Sequence, residues 1–104
     1  MSLNQESCIA NATALSAVEA EMLVTELDDW LIGGDKLEKT FRFKQFHDTM
    51  AFTNAVAWIA HRQDHHPDLA VSYGHCKVSW STHSAGGLTR NDFICAARVD
   101  ALTR

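Results

Sequence analysis

The chain has 104 residues, and its Asp and Glu outnumber its Lys and Arg thirteen to nine, for a net charge of −4. That length supports one domain with a single hydrophobic core, and the composition is that of an ordinary globular protein. An acidic balance without a basic cluster argues against a nucleic-acid phosphate backbone as partner, and no apolar run is long enough to span a membrane.

The three cysteines, Cys8, Cys76 and Cys95, are an odd number without ligand-like spacing. They point to a reducing compartment and no disulfide framework. With no basic segment leading into an apolar one at the N-terminus, the expected location is the cytoplasm.

Residues 1–14 are polar and small without a clear period and predict a loosely ordered N-terminal arm. Residues 15–104 form the expected single domain. Ser16-Ala17-Val18-Glu19 reads as a capping box, followed by a helical stripe of Ala20, Leu23, Leu27 and Trp30. Gly33-Gly34-Asp35 is turn material. From Leu37 to Lys44 the residues alternate, with Leu37, Phe41 and Phe43 on one side and Glu38, Thr40, Arg42 and Lys44 on the other. This predicts a half-buried strand, with a short strand around Trp30 to Ile32 to pair with it.

Asp48 or Thr49 is expected to cap a second helix. Phe52, Val56 and Ile59 form its stripe, and it runs to about Gln63 with His61 in the last turn. Two alternating runs, Leu69 to Tyr73 and Val78 to Trp80, flank Gly74-His75 and read as a hairpin. After the Gly86-Gly87 loop, Thr89 caps a third helix bearing Ile94, Ala97 and Ala101. The order α-β-β-α-β-β-α predicts an α+β two-layer sandwich: a four-stranded antiparallel sheet with three helices on one face.

The chemistry concentrates at His65-His66-Pro67-Asp68. Pro67 cannot continue a helix and drives His66 towards extended backbone, which pins the tandem histidines at a helix-to-strand corner. In an antiparallel pair the end of the second strand returns beside the start of the first. His83 is therefore expected near His65 and His66, giving one acid–base site of three imidazoles, the side chains best suited to proton transfer near neutral pH.

The competing structural reading has the tandem pair capping the second helix at its carbonyl end. Likewise Thr89-x-x-Asp92 is a capping-box pattern that explains Asp92 without catalysis. His61-x-x-x-His65 has metal-ligand spacing, but no HExxH and no flanking carboxylates accompany it, so no metal is expected. No nucleophile elbow occurs.

His61-x-x-x-His65-His66-Pro67-Asp68, Tyr73, Thr82-His83, Gly86-Gly87-Leu88-Thr89 and Asp92 together resemble the pterin-4a-carbinolamine dehydratase family. Weaker similarity extends back through Phe41-x-Phe43-x-x-Phe46 to Leu15, so the resemblance covers nearly the whole domain. It implies dehydration of 4a-hydroxytetrahydropterin to quinonoid dihydropterin, which recycles the pterin of aromatic amino-acid hydroxylases without any cofactor.

By the same resemblance His65 and His83 are the acid–base residues, and His66 binds and orients the pterin. His61, Asp92 and Trp30 are substrate-binding. His61 stands where many members carry glutamate. The small-molecule pterin is the implied partner, and the implied assembly is a homodimer or homotetramer. The rival reading is a non-catalytic, dehydratase-like interaction protein of the transcriptional-coactivator type.

Overall fold

The computed structural model describes residues 2–103. Ser16 opens the first helix as its N-cap: its Oγ accepts the Glu19 N–H at 3.1 Å, and the Glu19 carboxylate accepts the Ser16 N–H at 2.9 Å. The reciprocal bonds satisfy donors that the first turn would otherwise leave bare. This helix, α1, spans only Ala17–Val24. Its expected continuation to Trp30 fails, because the Glu26 and Leu27 N–H groups bond the carbonyls three residues back and tighten the chain out of α geometry. Asp29 then takes a left-handed backbone (φ 63°), and Trp30 lies just ahead of the first strand.

The sheet has the order β1-β2-β4-β3, antiparallel throughout, from β1 (Leu31–Gly33), β2 (Lys36–Arg42), β3 (Asp68–Ser72) and β4 (His75–Trp80). The fold is α+β, with three helices against a four-stranded antiparallel sheet. Register pairs Leu37 with Trp80, Lys39 with Val78 and Phe41 with Cys76, and sets Leu69 and Val71 beside Val78 and Cys76. Paired residues share a face, so Leu37, Lys39, Phe41, Cys76, Val78 and Trp80 form the row that looks into the core, with Leu69 and Val71 at its exposed edge, while Glu38, Thr40, Arg42 and Lys77 look outward.

One residue on the inner row is a lysine. The Lys39 ammonium is received by Asp100 Oδ1 at 3.1 Å and by the Asp28 carbonyl. Asp100 is 1% exposed and also accepts the Trp30 indole N–H at 2.8 Å and the Asp28 N–H. A buried carboxylate is tolerated there because three donors converge on it.

The second helix, α2, spans Phe46–Gln63 with Gln45 as N-cap, three to four residues ahead of the expected caps. Thr49 is inside the helix, and its hydroxyl bonds the Gln45 and Tyr73 carbonyls. Phe52 packs on Phe41 and Phe43 with ring centroids 4.5 and 5.2 Å away, tying α2 to the sheet. The third helix, α3 (Arg90–Ala101), is enclosed: every residue from Asn91 to Ala97 is buried.

Part of that enclosure comes from the N-terminal segment. A 3-10 turn at Leu3–Gln5 buries Leu3 to 4% exposure. Glu6 makes two bonds to the Arg90 guanidinium, at 2.8 and 2.7 Å. The Asn91 amide clamps both the N–H and the carbonyl of Ile9, at 3.0 and 2.8 Å. Met1 lies outside the described residues. Among the described residues no helix is long and apolar enough to cross a membrane.

Candidate functional site

Helix α2 does not wait for Pro67 to end. Asp64 adopts a left-handed backbone (φ 49°, ψ 44°), its N–H turns onto the Ala60 and His61 carbonyls, and the His65 N–H reaches back to the Ala60 carbonyl at 3.2 Å. The pattern is a helix stop made by main-chain bonds, and it throws the His65 side chain off the helix axis. Pro67 then leads straight into β3.

The His65 ring lands between a strand and a helix terminus. It stacks on Trp80, the last residue of β4, with planes 9° apart and centroids 5.7 Å apart. Its Nε2 stands 2.6 Å from Asp92 Oδ1. Asp92, in the first turn of α3, is fully buried. Its other oxygen, Oδ2, accepts the Thr82 hydroxyl at 2.8 Å and the Thr89 N–H at 2.9 Å. The Thr89 and Thr82 hydroxyls are 2.9 Å apart, so with Thr82 donating to the carboxylate, Thr89 donates to Thr82. One carboxylate therefore caps α3, fastens the loop after β4 and holds an imidazole.

The electrostatics follow from that bond. The hydrogen bond to Asp92 raises the His65 pKa above its usual 6.5, with desolvation working against it and the Asp92 charge adding to it. The protonated ring is the form the site favours. With Nε2 engaged, Nδ1 has no hydrogen-bond partner among the described residues.

His83 follows Thr82 in a 3-10 turn (His83–Ala85), three residues past the end of β4, and it is exposed, with Nε2 3.5 Å from the Ser81 hydroxyl. His66 is exposed and has no hydrogen-bond partner among the described residues. The Asp92 carboxylate thus joins the α2 exit, which carries His65 and His66, to the loop that carries His83. His61 is separate in its contacts: it is exposed, and its ring lies against Trp58 at 5.5 Å.

Trp30 belongs to another cluster. It contacts Phe41 and Asp100 and is 4% exposed, which leaves little surface for a ligand. Among the described residues no three His, Cys, Asp or Glu side chains are grouped as a metal ion would need. A groove along α1, lined by Leu15, Val18, Met22, Glu26 and Arg90 among others, holds none of the imidazoles.

Residues 13–102 match the family described as pterin 4 alpha carbinolamine dehydratase. A chain from Chromobacterium violaceum is 50% identical over 106 residues, covering all of this chain and 98% of its own length. The chain belongs to the pterin-4-alpha-carbinolamine dehydratase family. A Nitrosospira multiformis member is 50% identical over 95 residues, 91% of this chain and 84% of that one. Both carry the curated name "Putative pterin-4-alpha-carbinolamine dehydratase".

Among solved members of the dehydratase fold, a crystal structure titled transcriptional coactivator/pterin dehydratase from Brucella melitensis superposes with a TM-score of 0.82. It shares 29% identity and covers 88% of this chain and all of that one. A pterin dehydratase-like protein described as a RuBisCO assembly factor in the alpha-carboxysome gives a TM-score of 0.62 at 27% identity, over 72% and 89% of the two chains.

Two contributors to the site carried no assigned role in the sequence. Trp80 read only as a strand residue and Thr82 only as part of a Thr-His pair. Thr82 is an ordinary loop residue until the chain brings it against a carboxylate ten positions on.

Proposed function

We propose that this chain dehydrates 4a-hydroxytetrahydropterin to quinonoid dihydropterin and water, with His65 and His83 as the acid–base pair. The observation that carries the proposal is the buried Asp92 carboxylate bonded to both His65 Nε2 and the Thr82 hydroxyl, beside His83. The reaction breaks the C4a–O bond and removes the N5 proton. It is redox-neutral, so it asks only for a proton donor to the leaving hydroxyl and an acceptor for the proton of N5.

His65, its pKa raised by Asp92, suits the donor, and exposed His83 suits the acceptor. His66 binds and orients the pterin ring, and Asp92 acts through His65. His61, one turn back on α2, contributes at the rim of the bound pterin. The family membership supports the pterin as substrate. Assay of the purified chain on freshly generated 4a-hydroxytetrahydropterin tests the reading. Acceleration over the spontaneous reaction supports it, and none refutes it.

A second reading has a specific motive. The solved relatives include one titled for coactivation and one for RuBisCO assembly. A non-catalytic, dehydratase-like interaction protein would show no acceleration and would bind a macromolecular partner. We place the protein in the cytoplasm as a homodimer or homotetramer. The exposure of every β3 residue and of Trp58 on α2 leaves unpaired surface for copies of the chain. Light scattering reads the subunit number.

A further inference from the structure

We propose that Cys8 and Cys95 form a reversible disulfide site, oxidised by a hydroperoxide, that fastens the N-terminal segment to α3 beside the His65–Asp92 pair. The two thiols are 87 positions apart, yet their sulfurs are 3.5 Å from each other. Closing to the ~2.05 Å of a disulfide asks for a small movement of the side chains. The backbone around Cys8 is held for the approach: the Cys8 N–H bonds Gln63 Oε1 at 2.8 Å, and the next residue, Ile9, is clamped by Asn91. Cys95 sits one turn beyond Asp92 on α3. Cys76, the third cysteine, is fully buried on β4.

The thiols are unequal, which sets the order of events. Cys8 is partly exposed and Cys95 is fully buried. The two sulfurs share a hydrogen bond that either can donate. That bond lowers the Cys8 pKa, with His65 and Arg98 adding to the effect, while burial opposes it and the Asp92 charge opposes it further. The same bond is the main cause that raises the Cys95 pKa, and burial adds to it. Cys8 is therefore the sulfur that meets the oxidant, and Cys95 is the one that resolves.

The Cys8 thiol first gives up its proton, its thiolate attacks a peroxide oxygen, the O–O bond breaks, and Cys8 sulfenic acid forms while the leaving hydroxide takes up that proton as water. The Cys95 sulfur then attacks the Cys8 sulfur. The S–O bond breaks, the S–S bond forms, and hydroxide leaves with the Cys95 proton as a second water. Two thiols lose two electrons to one hydrogen peroxide. Once Cys8 is oxidised it no longer holds a negative charge against Cys95, so the resolving thiol loses that restraint.

The test uses the full-length protein exposed to stoichiometric hydrogen peroxide, blocked with N-ethylmaleimide and digested without reduction. The expected result is a Cys8–Cys95 peptide pair linked with loss of two hydrogens and reversed by dithiothreitol. The melting midpoint of the oxidised form should rise by roughly 5 °C or more, because the crosslink closes a long loop of the unfolded chain. Cys8→Ser should give neither. Cys8 sulfinic acid with Cys95 still alkylatable, a link through Cys76, or no reaction at all would each overturn the proposal. If Cys8→Ser does not fold, the peptide map of the wild-type chain decides alone. None of these readouts depends on dehydratase activity.

Discussion

Asp92 holds His65 through a 2.6 Å bond across 27 positions of sequence, and its second oxygen caps its own helix through Thr89. The capping role and the imidazole-holding role belong to one carboxylate. A residue fixed by the start of a helix is a rigid place from which to aim a histidine.

Removing that carboxylate should cost stability. Asp92→Ala deletes the α3 cap and leaves the Thr89 N–H and the Thr82 hydroxyl without their acceptor. The expected loss is about 1–3 kcal/mol, read by urea unfolding. A variant as stable as the wild type would show that the network contributes nothing.

The pH dependence of the pair has a definite sign. His65 has a folded-state pKa above its usual 6.5. Its contribution to stability is fully present below pH ~6.5 and fades as pH rises through the folded pKa. Asp92→Asn removes the main cause of the shift, so the stability gap between wild type and variant should narrow as pH rises from about 6 to 9. NMR titration of the His65 ring should place its midpoint above 6.5 in the wild type and lower in the variant. A midpoint at or below 6.5 in the wild type would contradict the geometry.

The buried pair beneath the sheet makes a separate prediction. Asp100→Ala strands the Lys39 ammonium, 16% exposed, and the Trp30 indole N–H. The expected cost is about 3–5 kcal/mol. Lys39→Met combined with Asp100→Leu should cost less than the single Asp100 change, because no unpaired charge is left behind. Equal or greater loss in the double variant would argue that packing, rather than charge, dominates there.

Leu3→Ala tests whether the N-terminal segment is part of the folded unit. Leu3 is 4% exposed, so its truncation should destabilise by about 2 kcal/mol or more in thermal or urea unfolding. No change would support a loosely ordered arm.

What was legible in the sequence was whatever depends on near neighbours. The Ser16–Glu19 and Thr89–Asp92 boxes, the α2 stripe and the hairpin around Gly74 are written in spacings of two to four residues, and they suffice for the element order and the α+β class. What was hidden depends on distant partners. Trp30 fitted the α1 stripe, but spacing does not register the tight turn after Val24 or the left-handed Asp29 that removes Trp30 from the helix.

Lys39 falls on the inward row of β2, and spacing alone names no partner for its charge until Asp100 is seen. The N-terminal segment is held by one leucine and by bonds to Asn91, Arg90 and Arg98, none of which creates a period. The same holds at the site. The tandem histidines and the Thr-His pair were visible, whereas the Asp92 bridge between their segments exists only in three dimensions.

The central claim is that His65, held by Asp92, and His83 move protons on a pterin carbinolamine. Dehydration of freshly generated 4a-hydroxytetrahydropterin by the wild type, His65→Ala and His83→Ala, each first shown to be folded, tests it most directly. Each variant should lose on the order of 10²–10⁴-fold in rate. Wild-type rates in both would contradict the account.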